Sequence, residues 1–329
     1  MKAIEVVGKG DEARLVLGEA PEPALGPGQV RIEIVATAVN RADLMQRRGL
    51  YPPPPGASTV LGLECSGIVS ELGEGVSDRK PGDRVAALLP GGGYAEQATV
   101  HAGSLIPVPA DHSLSEAAGI PEVFLTCSLN LFQLAAAPEG GWVLVHGGGS
   151  GIGTASIQLL REAGIHSVVT AGSDEKCQRC LELGANVAIN YREGEFAQKV
   201  LDATEGRGVD VVFDSIGAPY LAQHLACLAV GGRLVMIGLM GGARAEINLG
   251  LLLGKRLSLI GSTLRARPVE EKAEIVDALL ERFGDALARG TIKPVIDRVL
   301  PLAEAQAAHD ILQASTHFGK VILQVRDEP

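Results

Sequence analysis

The stretch from Trp142 to Lys176, WVLVHGGGSGIGTASIQLLREAGIHSVVTAGSDEK, organises the rest of this chain. It starts with an apolar run at 143–145 of the kind that buried parallel strands show. A glycine-rich turn follows at 147–153, and then an amphipathic helical pattern that ends at Gly164. Residues 167–171 indicate a second strand. The order is therefore strand, glycine turn, helix, strand.

A glycine turn between a strand and a helix predicts a site for a dinucleotide pyrophosphate. The diphosphate must approach the backbone closely, so side chains have to be absent. The free N–H groups and the positive dipole end of the helix then meet its charge. The glycines fall at alternate positions rather than in a strict G-x-G-x-x-G, so the flanking strand and helix are what favour this prediction. The predicted contact residues are Gly149, Ser150, Gly151 and Ile152.

The tip of the second strand bears on which nicotinamide cofactor is used. Enzymes that use the unphosphorylated cofactor usually place an acidic residue here to hold the ribose hydroxyls. The strand ends instead in Gly172 and Ser173, and Lys176 follows, which suits a 2′-phosphate. Asp174 is close enough to act as that acid, but it also fits the N-cap or first turn of the next helix. We therefore expect NADPH, with Asp174 as the residue that would favour NADH if it turned inward.

Composition excludes several classes of partner. The chain has 329 residues, enough for two domains, and a net charge of -10, which argues against nucleic acid or an anionic membrane as a partner. No apolar run is long enough to span a bilayer, and no charged-then-apolar leader is present. We expect a cytoplasmic protein.

The pattern along the chain predicts an α/β protein. Residues 1–110 are strand-rich and divided by turns, which is typical of a partly open β-barrel. Beyond the glycine turn, strands and helices alternate as in a doubly wound parallel sheet, with a long helix near 269–287. Strand character then returns at the end of the chain. The further strands of the sheet are predicted at 187–190, 209–213, 232–238 and 257–260.

Motifs along the whole chain resemble the medium-chain dehydrogenase/reductase superfamily, and within it the zinc-free quinone oxidoreductases. They include AVNRADLMQRRGLYPPPPGAS at 38–58, PGDRVAALLPGGGYAE at 81–96, HGGGSGIGTASIQL at 146–159 and FGKVIL at 318–323. The tumour-suppressor-inducible quinone oxidoreductase branch is the most similar. The resemblance implies a GroES-like β-barrel catalytic domain plus a Rossmann domain, and NADPH-dependent reduction of quinones. The implied domain boundaries are 1–120, 121–288 and 289–329.

Departures from the metal-using alcohol dehydrogenases predict that no metal is bound. Those enzymes have a cysteine about where Asn40 stands, a histidine where Leu63 stands, and a third ligand near Glu122. Neither Asn40 nor Leu63 can rebuild a zinc site, and Glu64 and Glu122 alone would be poor ligands. An acceptor that needs no Lewis acid, such as a quinone, fits this arrangement.

The resemblance also implies roles for single side chains. Asn40 and Thr126 would lie beside the nicotinamide, although Asn40 could also merely cap the helix that follows it. Tyr51 would be a stacking platform or phenol donor for the quinone, or else an exposed loop aromatic. Tyr191 would lie against the adenosine phosphate, with an ordinary loop aromatic as its alternative. Lys320 is predicted to be a solvated surface lysine, with a side chain that reaches the cofactor cleft as its alternative.

The remaining cofactor contacts are expected where a doubly wound sheet binds its ligand, at the carboxyl ends of strands. These residues follow the fourth and fifth strands of the sheet: Ile216, Gly217, Leu239, Met240 and Gly241.

Two other functions stay open on the sequence alone. The same fold and cofactor serve the reduction of an activated double bond in an enone or enoyl-thioester. The third possible function is that of a protein that binds NADPH without catalysis. Reduction of quinones could proceed by hydride transfer or by single electrons. The apolar strand at 257–261 would lie at the sheet edge, so we expect it to be covered by a second copy in a homodimer.

Overall fold

The structure is a computed structural model that describes residues 1–328. The chain forms two compact units. The split unit comprises Met1–Leu125 together with the chain from Leu264 onward, and the central unit is Thr126–Thr263. The predicted boundaries lay at 120/121 and 288/289, so the second differs by a whole helix. That helix, Val269–Ala288, belongs to the split unit because it packs on the short turn at Ala102–Ser104.

Residues 1–328 contain fifteen strands. In chain order they are β1 Lys2–Val7, β2 Arg14–Glu19, β3 Gln29–Ala38, β4 Glu64–Leu72, β5 Arg84–Leu88, β6 Gln97–His101, β7 Leu105–Pro107, β8 Trp142–His146, β9 His166–Ala171, β10 Val187–Asn190, β11 Val209–Asp214, β12 Leu228–Met236, β13 Ser258–Gly261, β14 Ile296–Pro301 and β15 Lys320–Gln324.

The same residues form ten α-helices. They are α1 Arg41–Arg47, α2 Leu114–Ala117, α3 Pro121–Cys127, α4 Gly151–Glu162, α5 Asp174–Leu183, α6 Ala197–Ala203, α7 Leu221–Cys227, α8 Leu249–Gly254, α9 Val269–Ala288 and α10 Ala305–Ala314. A π-helical segment, Ser128–Leu134, continues directly from α3.

The split unit is built on a seven-stranded sheet. Its order is β14-β15-β3-β4-β5-β7, with β6 paired to β3, and β1 and β2 form a separate hairpin. All the pairings within the seven-stranded sheet are antiparallel except that of β14 with β15. Strand β3 is its centre, and Val30, Ile32 and Ile34 alternate along it into one buried cluster. Because β15 pairs with β3, the last strand of the chain lies beside the loop that follows β3.

The central unit is a six-stranded sheet in which every pairing is parallel. The order is β10-β9-β8-β11-β12-β13, so β8 and β11 are the neighbours at which the direction of winding reverses. A parallel sheet buries both faces, and the middles of its strands are apolar: Leu144, Val168 and Val212 share one cluster. The predicted fold class, a GroES-like barrel domain plus a Rossmann sheet, is confirmed. Ligands of such sheets bind beyond the carboxyl ends of the strands.

Candidate active site and cofactor site

The glycine turn of the central unit brings helix α4 against the end of β8. Gly147 has φ +73°, which only glycine adopts without cost. A Cβ on Gly153 would lie 2.3 Å from the Gly147 carbonyl oxygen, so the first turn of α4 packs directly on the backbone of the turn. Both glycines are therefore required by the local geometry.

The N-terminus of α4 offers hydrogen-bond donors to an anion. Ser150 is the N-cap, and its hydroxyl oxygen accepts the Gly153 N–H at 3.0 Å. The Ser150 carbonyl accepts the N–H of Thr154. Within residues 1–328, no partner is recorded for the N–H groups of Gly151 and Ile152. Two free donors at a helix N-terminus are the arrangement that holds a phosphate.

The structure brings the predicted residues at the tip of β9 together. A Cβ on Gly172 would lie 2.7 Å from the hydroxyl oxygen of Tyr191, so this phenol lies against the strand tip. Ser173 is the N-cap of α5, and its hydroxyl accepts the Lys176 N–H at 3.3 Å. That hydroxyl still has its proton to donate. Lys176 is half-buried in the first turn of the same helix.

Asp174, the residue that would favour NADH, is engaged elsewhere. It is exposed in the first turn of α5, and its Oδ1 accepts the side-chain amide of Asn190 at 2.8 Å. An acidic residue in a first turn also complements the helix dipole. Of the two helix positions predicted for Asp174, the structure shows the first turn of α5, and Ser173 is the N-cap residue.

The loops after β11 and β12 form one bridged pair. Gly217 and Gly242 are joined as a parallel bridge, and the Gly241 N–H donates to the Ile216 carbonyl at 2.8 Å. The Asp214 carboxylate accepts the N–H groups of Ile216 and Gly217, which fixes the end of β11. Two apolar side chains of this pair are exposed: Leu239 and Met240. The five predicted loop residues thus belong to one bridged pair of loops at the carboxyl end of the sheet.

The split unit contains a buried polar group that we call the Glu64 cluster: Asn40, Glu64 and Lys320. The Glu64 Oε1 atom accepts the Asn40 amide at 2.8 Å and the Lys320 ammonium at 2.7 Å. Lys320 also donates to the Asn40 Oδ1 at 2.7 Å. Glu64 and Lys320 are 0% and 3% exposed, so the prediction of a solvated Lys320 is wrong. The pairing of β15 with β3 carries this lysine into the interior.

Asn40 is the N-cap residue of α1, and its side chain also binds two charged groups. Both polar atoms of the amide belong to the Glu64 cluster. The cap is served by Asp43, whose Oδ2 accepts the Asn40 N–H at 2.8 Å. The Asn40 side chain is therefore held in one orientation by two charged groups.

A second buried set continues from Asp43. Its carboxylate accepts the Tyr94 hydroxyl at 3.3 Å, and that hydroxyl lies 3.1 Å from the His309 Nε2. Burial raises the pKa of Asp43 to about 6 and lowers that of His309 to about 3, so this histidine is neutral at physiological pH.

Tyr51 is held by an arginine that the sequence analysis missed. The Arg265 guanidinium lies 5.2 Å from the Tyr51 ring centroid and donates to the Pro90 carbonyl and the Gln46 side chain. Lys272, itself buried, donates to the Arg265 carbonyl at 2.7 Å. Tyr51 is thereby tied to Arg265, 214 residues away in sequence, and through Arg265 to Lys272 of α9.

Thr126 is the first residue of the central unit, whereas Asn40 and Tyr51 belong to the split unit. Thr126 is buried near the end of α3, and its carbonyl accepts the Asn130 side chain at 2.7 Å. Its place beside the nicotinamide together with Asn40 stays a prediction.

Comparisons with known proteins cover almost the whole chain. The family model described as zinc-binding dehydrogenase matches residues 151–281, and that of the alcohol dehydrogenase GroES-like domain matches 26–110. The quinone oxidoreductase of Rattus norvegicus is 33% identical over 98% of this chain and 97% of its own. The chain belongs to the medium-chain dehydrogenase/reductase superfamily.

Two further superfamily members illustrate its range. The 2-haloacrylate reductase of Burkholderia sp is 33% identical, with 96% of each chain covered. Escherichia coli quinone oxidoreductase, solved in complex with NADPH, matches with a TM-score of 0.87 and 29% identity, over 99% of this chain and all of its own. The predicted superfamily is confirmed, and the zinc-free group and its branch stay predictions.

Within this superfamily the donor set of the split unit does not fit a catalytic zinc. Leu63 is a buried apolar residue, and the Asn40 amide and the Lys320 ammonium both bind Glu64. The Lys320 ammonium lies 2.7 Å from that carboxylate and neutralises its charge, whereas zinc requires three N, S or O donors around an open position. We derive no step through zinc.

Another group of potential ligand atoms lies in the central unit. Side-chain donor atoms of His146, Asp214 and His224 lie within 4.8 Å of one another, all buried. The two imidazoles share a 2.8 Å hydrogen bond between their Nε2 atoms, and Asp214 already accepts two backbone N–H groups. Burial lowers the pKa of His224 to about 3 and that of His146 well below its usual value. Two neutral histidines that bind each other stabilise the end of β8.

Proposed function

We propose that this chain is an NADPH-dependent quinone oxidoreductase. The observation that carries the proposal is the strand tip of β9. There the Tyr191 hydroxyl lies against Gly172, Ser173 and Lys176 lie at the start of the helix that follows, and the acid Asp174 binds Asn190. That set can bind a 2′-phosphate. The open N–H groups of α4 supply the pyrophosphate site next to it in the same sheet. Relatives named quinone oxidoreductase supply the reaction class.

The protein's own contribution is position rather than covalent chemistry. When bound, the nicotinamide supplies the hydride from its carbon 4. The chain has to hold the acceptor against it and exclude water, which can account for several orders of magnitude in rate. Asn40 is suited to this because its amide is fixed by Glu64 and Lys320. Tyr51, clamped by Arg265, offers a ring on which a quinone can stack.

A panel of acceptors tests the proposal. Steady-state oxidation of NADPH by the purified chain is measured with a series of ortho- and para-quinones and with a series of enones and acyl-thioesters. We expect a higher kcat/KM for the quinones. A preference for activated double bonds would assign the second function instead, and binding of NADPH without turnover of either series would leave a non-catalytic binder.

We also propose that two copies associate through the edge of the central sheet. Strand β13 pairs with β12 on one side and has no other partner among residues 1–328. Its Leu259 and Ile260 are partly exposed, and Leu253 in the preceding helix is 81% exposed. An apolar edge of this kind is stable in solution when a second edge covers it.

Light scattering at micromolar concentration should give twice the mass of the chain. Ile260→Lys places a charge in the covered edge, so we expect it to raise the dissociation constant of the dimer at least about tenfold. Val7→Lys, at an exposed valine of the split unit, is the matched control and should leave the mass unchanged. A monomer mass for the wild type would contradict the dimer.

No helix among residues 1–328 is long and apolar enough to cross a membrane. All five cysteines are free and buried. A set of reduced thiols is typical of proteins that work in the cytoplasm, and we propose that compartment for this one.

A further inference from the structure

Glu122 lies directly on the Glu64 cluster and takes no part in its hydrogen bonds through its side chain. It stands in the first turn of α3, and its backbone N–H donates to the Glu64 Oε2 at 2.8 Å. The Oε1 atom of the same carboxylate binds Asn40 and Lys320. Glu122 is a partly exposed residue, and none of the hydrogen bonds among residues 1–328 goes to its carboxyl.

We propose that Glu122 is the catalytic residue that donates a proton to the acceptor as it is reduced. This inference rests on the proposed function. It places the acid beside Asn40, on the split unit, where the acceptor would be held. A partly exposed carboxyl with no partner of its own is available both to a bound acceptor and to solvent.

The cations near Glu122 all form hydrogen bonds with other groups. Lys320 is committed to Glu64 and Asn40, and the guanidinium of Arg265 to the Pro90 carbonyl and to Gln46. Lys272 donates to the Arg265 carbonyl. The remaining groups that act on the Glu122 carboxyl or its surroundings are two acids and a phenol: Glu64, Asp43 and Tyr51.

These surroundings keep the carboxyl protonated. Burial, and then the negative charge of Glu64, raise the pKa of Glu122 from its ordinary 4.5 to about 8. Lys320 and Arg265 lower it by less, and Asp43 adds a smaller upward effect. A general acid works best when its pKa is near the operating pH. Glu122 is therefore a neutral acid at pH 7 that can lose its proton without a large cost.

The step balances in atoms and electrons. Reduction of a quinone to a hydroquinone takes one hydride, which carries two electrons, and one proton. The nicotinamide supplies the hydride. The O–H bond of Glu122 breaks, its proton forms an O–H bond on the quinone oxygen, and the carboxylate keeps the electron pair. Solvent then returns a proton to the carboxylate, which its partial exposure allows.

Glu122→Gln keeps the shape of the side chain and removes the transferable proton. We expect kcat with a quinone to fall by about 100-fold, the lower end of the range for general acid catalysis. The dissociation constant for NADPH, measured by fluorescence titration, should stay within about twofold. The wild-type rate should decline above about pH 8, and this decline should be absent in the variant. Glu116→Gln, at an exposed residue of α2, is the matched control.

Two further measurements separate chemistry from structure. Glu122→Asp retains an acid and should recover part of kcat if Gln at this position impairs proton transfer. The unfolding temperature gives a readout without turnover. Because the pKa of Glu122 is higher in the folded protein than in the unfolded chain, the protonated carboxyl adds to the free energy of unfolding. This contribution is complete below about pH 4.5 and is lost as the pH rises through about 8. Between pH 5 and 9 the unfolding temperature of the wild type should therefore fall by more than that of Glu122→Gln.

The outcomes are distinct. A wild type that reduces quinones while Glu122→Gln matches it in kcat and pH profile would overturn the role of Glu122 and leave the proposed function standing. Parallel unfolding curves for the two proteins would show an ordinary carboxylate and would also overturn it. A wild type that reduces no acceptor would overturn the proposed function and the proton transfer with it.

Discussion

Lys320→Met is expected to lower the free energy of unfolding by about 3–5 kcal/mol, the cost of removing one partner from a buried ion pair. Glu64 is 0% exposed, and the variant would leave its carboxylate without the ammonium that lies 2.7 Å from Oε1. The Asn40 amide would lose the cation that binds its Oδ1. Urea denaturation followed by circular dichroism measures the change, provided that the transition is two-state.

Two companion variants show whether the loss comes from the uncompensated charge. Glu64→Gln combined with Lys320→Met removes both charges and should recover part of the lost stability, because no unpaired ion stays buried. Lys80→Met, at an exposed lysine of the same unit, should change the free energy by no more than about 0.5 kcal/mol. If Lys320→Met and Lys80→Met are equally mild, the ion pair contributes nothing to the fold.

Lys176→Ala should raise the Michaelis constant for NADPH by roughly tenfold to a hundredfold and leave that for NADH nearly unchanged. Lys176 lies in the first turn of α5, whose N-cap hydroxyl belongs to Ser173. A charge-assisted hydrogen bond to a phosphate is worth about 1.5–3 kcal/mol, which corresponds to this range in affinity. Steady-state kinetics with each cofactor at saturating quinone gives both constants.

Lys199→Ala, on α6 of the same unit, is the control for a general loss of positive charge. It should affect the two cofactors alike. Equal catalytic efficiency of the wild type with NADPH and NADH would mean that the strand tip does not bind a 2′-phosphate. A Lys176→Ala variant unchanged toward NADPH would mean the same. Asp174 would then be the residue to examine, since it lies in the same helical turn.

Local patterns predicted most elements of the central unit closely, although β12 begins at Leu228, four residues before the predicted strand at 232–238. The third strand at 187–190 matches β10, and the fourth at 209–213 ends one residue short of β11. The glycine turn and the helix after it lie where the sequence predicts them. Short apolar runs between glycines in an alternating chain leave few other structures available, which is why periodicity sufficed here.

The polar groups of the split unit could not be predicted in the same way. Lys320 and Glu64 are 256 residues apart, and Arg265 and Gln46 are 219 apart. A lysine in a short strand near the end of a chain is predicted to be exposed to solvent, because most lysines in proteins are exposed. Its burial depends on the pairing of β15 with β3, which no local signal specifies. The central compact unit ends at Thr263 rather than at residue 288, because α9 packs on residues 102–104, a contact that no local pattern specifies.

A single-turnover experiment tests NADPH-dependent quinone reduction by this chain most directly. The purified chain is loaded with one equivalent of NADPH without oxygen and mixed with excess quinone, and the loss of reduced nicotinamide absorbance is followed while the products are quantified. We expect rapid loss of NADPH, with one hydroquinone formed for each NADPH oxidised. NADPH that stays reduced in the presence of every quinone tried, although it is bound, would contradict it.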